Sequence, residues 1–211
     1  MGYVETTAIA HLLQPFIELD EMRLRSISTY IDLLLKWNAR INLTAIREPA
    51  EIVQRHFGES LFAAKYLLEQ KPVGTAIDLG SGAGFPGVPF AILSPDTQVT
   101  LIESQHKKAT FLKELILLLE LKNVAVFCGR AENYLRTADL VLLRAVEKFE
   151  KTLQLAVRLT AVGGRVGLMI GSAQVELAGN LAPIMGWEEA VQIPSGHSRD
   201  LLVGTKIVKV E

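Results

Sequence analysis

The run Asp78-Leu79-Gly80-Ser81-Gly82-Ala83-Gly84-Phe85-Pro86-Gly87 decides how the rest of the sequence is interpreted. It follows the short β-rich run from Thr75 to Leu79 and precedes the apolar run from Val88 to Leu93. Glycine permits a tight turn and lets a ligand approach backbone amides that point out of a helix start. We therefore predict a strand, a turn and a helix that bind a nucleotide-like ligand. The glycines expected to meet that ligand are Gly80, Gly82 and Gly84.

Beyond the turn, short β-rich runs alternate with helical ones at spacings long enough for crossover helices. Such alternation predicts a parallel sheet covered on both faces. Only a Pro-Ser-Gly-His-Ser loop separates the last two runs, so we expect an antiparallel hairpin. The predicted fold class is α/β, a doubly wound, mostly parallel, seven-stranded Rossmann-like sheet with this hairpin at its C-terminal end. The predicted strands are Thr75 to Leu79, Gln98 to Glu103, Val124 to Cys128, Asp139 to Leu143, Arg165 to Ile170, Ala190 to Ile193 and Leu201 to Val210.

The part of the chain before the sheet carries no strand signal up to about Gln70. Apolar residues at helical spacing predict two helices there, and a third that begins near Pro49, which suits a first-turn position. The polar loop from Asn38 to Arg47 precedes the third helix. We expect residues 1–72 to form a helical extension packed on a catalytic domain of residues 73–211.

Composition limits the classes of partner. The 211 residues include 22 basic and 23 acidic side chains, a net charge of -1, so any contact with nucleic acid must be local and general DNA binding is not expected. The single cysteine, Cys128, lies in a predicted buried strand and suits a reducing cytoplasm. We expect neither secretion nor a membrane span, because the N-terminus shows no signal pattern and the apolar runs are short.

The glycine pattern alone leaves the ligand open. Gly82 to Gly87 also satisfies the dinucleotide fingerprint, and a turn of this kind can exist without any ligand. Glu103, at the end of the next predicted strand, is placed to accept hydrogen bonds from ribose hydroxyls. Asp78 would repel a pyrophosphate and suits a cationic methionine group. These residues favour S-adenosyl-L-methionine as cofactor and S-adenosyl-L-homocysteine as product.

Two further features lie at the ends of the third and fourth predicted strands. The loop Gly129-Arg130-Ala131-Glu132 could cover an adenine, or could be a helix start with an acidic residue against its dipole. Arg144 ends the fourth strand, at the sheet edge where doubly wound folds place their ligands. An arginine there is costly unless it meets an anion, so Arg144 is a functional candidate.

These motifs resemble the bacterial small-subunit ribosomal RNA guanine methyltransferases once called glucose-inhibited division protein B. The Phe-Pro-Gly end of the glycine run and the Asn-Leu-Thr segment are more specific than the glycines. The match spans nearly the whole chain and rests on Trp37-Asn38, Asn42-Leu43-Thr44, Arg55-His56 with Ser60, the run from Asp78 to Gly87, Gly129-Arg130-Ala131-Glu132 and Arg144-Ala145.

The resemblance implies methylation of ring nitrogen 7 of one guanine in 16S ribosomal RNA, with the RNA or the small ribosomal subunit as partner and a monomeric enzyme. That nitrogen already has a lone pair, so positioning can replace a strong general base. The four scattered histidines, at positions 11, 56, 106 and 197, form no metal-ligand cluster. The implied cofactor contacts are Gly80, Phe85, Ala131, Glu132 and Arg144.

The resemblance also suggests that Asn42, Arg55, His56 and Ser60 line the methyl-donor and guanine side of the pocket. The residues alone make His56 an interior histidine. Arg199, in an expected loop beside the ligand edge, is the foremost candidate for RNA contact. Two positions depart from the family pattern: Glu59 replaces an aspartate, and Ile170 replaces a lysine near the substrate entrance. The other candidates for RNA contact are Arg40, Arg47, Arg55, Lys107, Lys108, Lys113 and Arg130.

Two other functions remain open at this point. A nicotinamide-dependent oxidoreductase would use the same glycine turn, and a non-enzymatic adenosine-sensing module would bind the cofactor without turnover.

Overall fold

The computed structural model describes residues 4–144, 148–194 and 199–207. Its helices are α1 (Thr6–Leu13), α2 (Glu21–Asn38), α3 (Pro49–Glu51), α4 (Glu59–Gln70), α5 (Gly87–Leu93), α6 (His106–Leu118), α7 (Phe149–Leu159) and α8 (Ser172–Leu181). Its strands are β1 (Thr75–Leu79), β2 (Gln98–Glu103), β3 (Val124–Cys128), β4 (Ala138–Arg144), β5 (Thr160–Gly171), β6 (Met185–Trp187), β7 (Val191–Gln192) and β8 (Arg199–Lys206). Within the described ranges, none of these helices has the length and apolar character that crossing a bilayer requires.

The strands form one mixed sheet in the order β3-β2-β1-β4-β5-β8. The first five strands are parallel, whereas β8 runs antiparallel to β5. Both β6 and β7 pair with the outer edge of β8, so they occupy a seventh, interrupted position. The α/β sheet and its antiparallel end are confirmed.

The strand bounds differ from the predicted ones at the C-terminal end. β6, with Gly186 at its centre, was not predicted, because three residues are too few to show an alternating pattern. β5 begins at Thr160, five residues before the predicted start at Arg165. β8 begins at Arg199, and the predicted end of that run, residues 208–210, lies outside the described residues.

Helices cover both faces of the sheet, and each strand contributes to both cores because its successive side chains point to opposite faces. In β4, Leu140 and Leu142 join the core formed with α1, α2, α4, α5 and α6, while Val141 and Leu143 join the core formed with α7 and α8. The sheet is therefore doubly wound, as the alternation of runs predicted.

The N-terminal helices are built as predicted, with one difference. Asp20 caps α2 by accepting a hydrogen bond from the Arg23 backbone N–H, at 2.9 Å. The third helix starts at Pro49, but its turns from Ile52 to Gly58 are π-helical before α4 continues. Wide turns of this kind inside helices are frequent at functional sites. The domain boundary at residue 72 stays a prediction, since α1, α2 and α4 share one hydrophobic core with the sheet.

Arg165 joins the end of α4 to the sheet from within β5. Its side chain is buried and donates hydrogen bonds to Leu67 O and Lys71 O, at 3.0 and 2.9 Å, and to Gln70 Oε1, at 3.0 Å. Leu67 O and Lys71 O are backbone carbonyls at the C-terminal end of α4, where the helix has no further N–H donors to offer. Arg165 therefore caps α4 in the place of a C-terminal glycine.

Replacing Arg165 with Met should lower the free energy of unfolding by about 2 to 4 kcal/mol, because it leaves buried acceptors without a donor. Urea denaturation followed by circular dichroism measures this change. Arg25→Met is the control, since Arg25 is exposed and pairs only with Glu21 on the surface of α2. Equal stability of the two variants would show that Arg165 does not support the helix end.

Candidate active site

The glycine turn after β1 contains residues with two different roles. Gly80 and Gly84 have φ angles of 77° and 94°, a region that side chains with a Cβ rarely adopt. A Cβ at Gly80 would meet nothing within 4 Å, so this residue faces open space. A Cβ at Gly84 would lie 2.4 Å from the Tyr30 hydroxyl. Gly80 therefore leaves room for a ligand, whereas Gly84 leaves room for α2.

Asp78 lies under this turn. Its side chain is buried, and Oδ2 accepts a hydrogen bond from the Gly87 N–H at 3.0 Å. Burial raises the pKa of the Asp78 carboxyl to about 7, against the lowering effect of the Gly87 N–H. Oδ1 has no hydrogen-bond partner among the described residues. The carboxyl thus ties the two ends of the turn together.

Glu103, at the end of β2, is the second predicted acidic residue of the site. It is 6% exposed; Oε2 accepts from the Gly82 N–H at 3.0 Å, and Oε1 accepts from the Gln105 N–H at 2.7 Å. Each carboxylate oxygen has a further lone pair, so these contacts leave acceptor capacity for a ligand. Glu103 both supports the turn and borders the space above it.

That space is a cleft of about 430 Å³ at the carboxyl ends of β1, β2 and β4. Its volume lies within the range of small-molecule sites, and its place at this edge is the one that doubly wound sheets use. The cleft brings together four of the predicted cofactor residues, namely Gly80, Glu103, Ala131 and Arg144. The rest of its lining is Leu79, Ile102, Ser104, Gln105, Lys108, Gly129, Lys148, Thr152 and Leu155.

The loop after β3 forms one wall of the cleft. A short 3-10 turn runs from Ala131 to Asn133, and Arg158 of α7 donates to Ala131 O at 2.8 Å. The Glu132 carboxylate pairs with Lys151 Nζ at 3.1 Å. Its own backbone N–H and Lys151 lower the pKa of Glu132. Ala131 therefore lines the cleft, while the Glu132 side chain is directed toward α7.

Arg144, the last residue of β4, meets its anion inside the protein. Its Nη2 donates to Glu59 Oε2 at 2.8 Å and to Arg55 O at 2.6 Å. Nη1 lies 3.0 Å from His56 Nδ1. Burial lowers the pKa of Arg144, and the Glu59 carboxylate opposes that shift. The sequence predicted an anion beside Arg144, and the Glu59 carboxylate of the same chain provides it.

Glu59 is the central residue of this cluster, and its role could not be predicted from the sequence, where it stands out only as a mild departure from the family. Its side chain is fully buried, and Oε2 also accepts a hydrogen bond from Arg199 Nη1 at 3.1 Å. Arg199 was expected in a loop; it is instead the first residue of β8, opposite Gly171 of β5. One buried carboxylate is thus shared by two guanidinium groups from two different strands.

His56 is a neutral, hydrogen-bonded histidine in the interior. A guanidinium can only donate, so His56 Nδ1 accepts from Arg144, and Nε2 carries the proton toward Thr44 Oγ1 at 2.8 Å. Burial and the charge of Arg144 lower the pKa of His56 to about 3. This is the interior histidine that the residues alone predict, and both of its ring nitrogens are occupied.

The side chain of Phe85 packs into the protein. Its ring stacks on Tyr30, with centroids 5.2 Å apart, and on His56, at 4.8 Å, and meets the edge of Phe57 at 5.0 Å. The Tyr30 hydroxyl donates to Ala83 O in the glycine turn. Only the backbone of Phe85 remains for a ligand contact. Tyr30 was not predicted as a site residue, because in the sequence it occupies one of the apolar positions that recur at helical spacing in α2.

Most of the remaining predicted site residues lie at the surface, whereas Arg55 and Lys108 are half-buried. Asn42 is exposed, whereas the neighbouring Asn38 is buried and orders the loop. The Asn38 side chain accepts from the backbone N–H groups of Leu43 and Thr44, at 2.9 and 3.0 Å, and donates to Thr44 O at 2.9 Å. Arg55 pairs with Glu51 at 2.7 Å. Lys107, Lys113, Arg40, Arg47 and Arg130 are exposed, and Lys108 borders the cleft.

Buried polar atoms without a partner cluster in this region. Native proteins contain few such atoms, and each of them asks for an explanation such as a water, an ion or a ligand. Among the described residues, the buried side-chain atoms without a partner are Arg55 Nε, Glu59 Oε1, Ser60 Oγ, Asp78 Oδ1 and Arg144 Nε.

Three other predictions concern the surroundings of the site. No group of three or more metal-ligating side chains is present in residues 4–144, 148–194 and 199–207. Cys128 is half-buried rather than buried, and its Sγ lies 3.3 Å from His106 Nδ1. Ile170 is buried in the core under α7 and α8, so it does not line the cleft.

Solved structures with low sequence identity share this fold. The ribosomal protein L11 methylase of Lactobacillus delbrueckii subsp. bulgaricus superposes with a TM-score of 0.61 at 13% identity, over 74% of this chain and 80% of its own. The structure of M. jannaschii TYW2 in complex with AdoMet gives a TM-score of 0.52 at 20% identity, over 64% of this chain and 69% of its own. At such identities the likeness establishes the fold alone.

Sequence comparisons are more specific. The family model GidB, described as rRNA small subunit methyltransferase G, matches residues 23–195. The Ribosomal RNA small subunit methyltransferase G of Oenococcus oeni is 37% identical over 196 residues, which cover 85% of this chain and 79% of the relative. The protein of that name from Roseiflexus castenholzii is 36% identical over 205 residues, 90% of this chain and 86% of the relative. The resemblance seen in the sequence is confirmed: the chain belongs to the rRNA small subunit methyltransferase G family, an S-adenosylmethionine-dependent family.

Proposed function

We propose that this chain transfers the methyl group of S-adenosyl-L-methionine to ring nitrogen 7 of one guanine in 16S ribosomal RNA. The observation that carries the proposal is the cleft above Gly80, which opens at the ligand edge of a sheet shared with methyltransferases. Membership of the rRNA small subunit methyltransferase G family names the class of substrate. Family membership also argues against the nicotinamide-dependent oxidoreductase and the adenosine sensor.

The cleft suits the cofactor in both shape and chemistry. The open space at Gly80 allows a ligand to approach the backbone, and Glu103 keeps acceptor capacity for ribose hydroxyls. Ala131 supplies an apolar wall for the adenine, and Arg144 borders the cleft from the opposite side. When bound, the cofactor supplies an activated methyl group on a sulfonium. The protein has to hold that group in line with the guanine nitrogen.

Proton transfer is not required of the protein in this reaction. Guanine nitrogen 7 has a free lone pair and loses no proton before attack, so orientation can provide the rate enhancement. His56 fits this scheme because it is neutral and both of its ring nitrogens are hydrogen-bonded. We assign His56 and Arg55 to the support of Arg144, and not to proton transfer.

The partner and the setting belong to the same proposal. The family name points to RNA of the small ribosomal subunit. We infer that the protein acts there as a monomer in the cytoplasm, a reducing compartment that suits its single cysteine. The low net charge of -1 requires that RNA contact be confined to a local surface.

Two measurements on the purified protein test the proposed activity. Isothermal titration calorimetry should detect binding of S-adenosylhomocysteine and none of NADH. Small subunits from cells that lack the enzyme should accept a labelled methyl group, recovered as 7-methylguanosine after nuclease digestion of the 16S RNA. Methylation of another atom, or none on naked RNA, partial particles and complete subunits alike, would overturn the proposal.

The substitution Gly80→Ala should weaken cofactor binding. The new methyl group would occupy space in the cleft, and the φ of 77° at this position is one that alanine rarely adopts. The affinity for S-adenosylhomocysteine should therefore fall by at least about tenfold, the equivalent of about 1.4 kcal/mol. Gly179→Ala is the control, because a Cβ at this helical position meets nothing within 4 Å. Equal affinities for the two variants would remove Gly80 from the cofactor site.

The raised pKa of Asp78 predicts an unusual dependence of stability on pH. The folded-state pKa, about 7, lies above the usual value of 3.8, so the stability contributed by the protonated form is present at low pH and is lost as pH rises through 7. Asp78→Asn mimics the protonated form at every pH. Its free energy of unfolding relative to wild type should therefore increase between pH 5 and 7, by about 2.7 kcal/mol at 1.36 kcal/mol per pH unit, and then level off up to pH 8.

Urea denaturation at each pH measures this difference, in the absence of cofactor. Asp96→Asn, in the exposed loop before β2, controls for the loss of one carboxylate. A difference between Asp78→Asn and wild type that stays constant from pH 5 to 8 would contradict a raised pKa.

A further inference from the structure

The arginines of the described chain divide into two groups. Most of them have a partner: Arg23, Arg25, Arg55, Arg144 and Arg199 form ion pairs with carboxylates, and Arg158 and Arg165 donate to backbone carbonyls. Four exposed arginines form neither kind of contact with a described residue. These are Arg40, Arg47, Arg130 and Arg136.

Two of these four arginines belong to the loop between α2 and α3. In residues 39–48, Leu43 is buried and Thr44 is half-buried, while Arg40, Asn42 and Arg47 are exposed. Ala39, Ala45 and Glu48 complete the exposed positions, so this segment contains two arginines and a single carboxylate. From these exposed positions we select Arg40, Asn42, Ala45 and Arg47 and name them the outer loop face.

The loop is well supported from the inside. Asn38 forms three hydrogen bonds with the backbone of Leu43 and Thr44, at 2.9 to 3.0 Å. Thr44 Oγ1 accepts a further bond from the Ile46 N–H at 3.1 Å. The exposed side chains of Arg40, Asn42 and Arg47 form no hydrogen bond or ion pair with any other described residue. A loop that is ordered by internal bonds and exposes such polar groups is suited to present them to a partner.

A short chain of hydrogen bonds connects the loop to the cleft. Thr44 Oγ1 lies 2.8 Å from His56 Nε2, and His56 Nδ1 lies 3.0 Å from Arg144 Nη1. Arg144 itself borders the cleft. The loop therefore lies beside the candidate active site, on the side opposite the Ala131 wall.

We propose that the outer loop face binds the strand of ribosomal RNA that carries the target guanine. The guanidinium groups of Arg40 and Arg47 pair with backbone phosphates, because the planar fork of arginine matches phosphate oxygens. The Asn42 amide, which offers both a donor and an acceptor, contacts the edge of an unstacked base. This inference rests on the proposed function, since the cleft must hold the methyl donor for the loop to deliver a substrate.

The experiment compares the double variant Arg40→Gln/Arg47→Gln with wild type and with the control Arg25→Gln. The substrate is small ribosomal subunits from cells that lack the enzyme, and KM is measured at several salt concentrations. The double variant should show a KM raised at least about tenfold and a salt dependence of log KM reduced by about 1.4, since each phosphate contact to a single strand contributes about 0.7. Arg25→Gln should behave as wild type.

The variant Asn42→Ala tests the contact to a base independently of the contacts to phosphates. Its kcat/KM for the subunits should be lower than that of wild type. The salt dependence of log KM should stay as in wild type, because no charge is removed. The affinity for S-adenosylhomocysteine should be unchanged in all these variants.

The outcomes distinguish the role of the loop from the proposed function. If wild type is active and the double variant has the same KM and salt dependence as wild type, the role of the loop is overturned and the proposed function stands. An equal loss of S-adenosylhomocysteine affinity in the double variant would also overturn the role of the loop, because the loop would then act through the cofactor site. A wild type that methylates no subunit would overturn the proposed function itself.

Discussion

The structure depends most on the buried carboxylate of Glu59, shared by Arg144 and Arg199. Two guanidinium groups in a buried cluster would be very costly without an anion, and the desolvation of a carboxylate is offset only by well-formed hydrogen bonds. Glu59 lies at the start of α4, Arg144 ends β4 and Arg199 begins β8. This one interaction therefore connects the N-terminal helices to two strand ends at the ligand edge of the sheet.

The N-terminal helices are, for the same reason, part of the cofactor site. Tyr30 donates to Ala83 O in the glycine turn, and Phe85 packs between Tyr30 and His56. The turn is thus held from below by α2 and the π-helical segment, and from within by Asp78. A turn held by these contacts presents its open side, at Gly80, in a conformation that a ligand does not have to order on binding.

Local patterns predicted the larger part of the fold. The bounds of β1, β2 and β3 agree with the predicted runs, because a buried parallel strand is a short apolar run between turn signals. The glycine turn and the end of β2 also placed Gly80 and Glu103 at the cleft. Such features depend on residues close in the sequence or on the ends of adjacent parallel strands.

The interior of the site could not be predicted in the same way. Glu59 and Arg199 are 140 residues apart, and no local pattern marks them as partners. Arg144 was recognised as needing an anion, but the sequence suggested a ligand where the structure has Glu59. Phe85 and Asn42 were assigned by motif, and a motif does not tell which way a side chain points. The hydrogen bonds of Asn38 depend on the folded conformation of the loop, which the sequence pattern does not specify.

The free energy of unfolding of Glu59→Gln, from urea denaturation, tests the central claim most directly. Loss of the shared charge leaves Arg144 and Arg199 without an anion, so stability should fall by about 3 to 5 kcal/mol. Glu51→Gln, which breaks the half-exposed pair with Arg55, should cost less than about 1 kcal/mol. A Glu59→Gln variant as stable as Glu51→Gln would contradict the account.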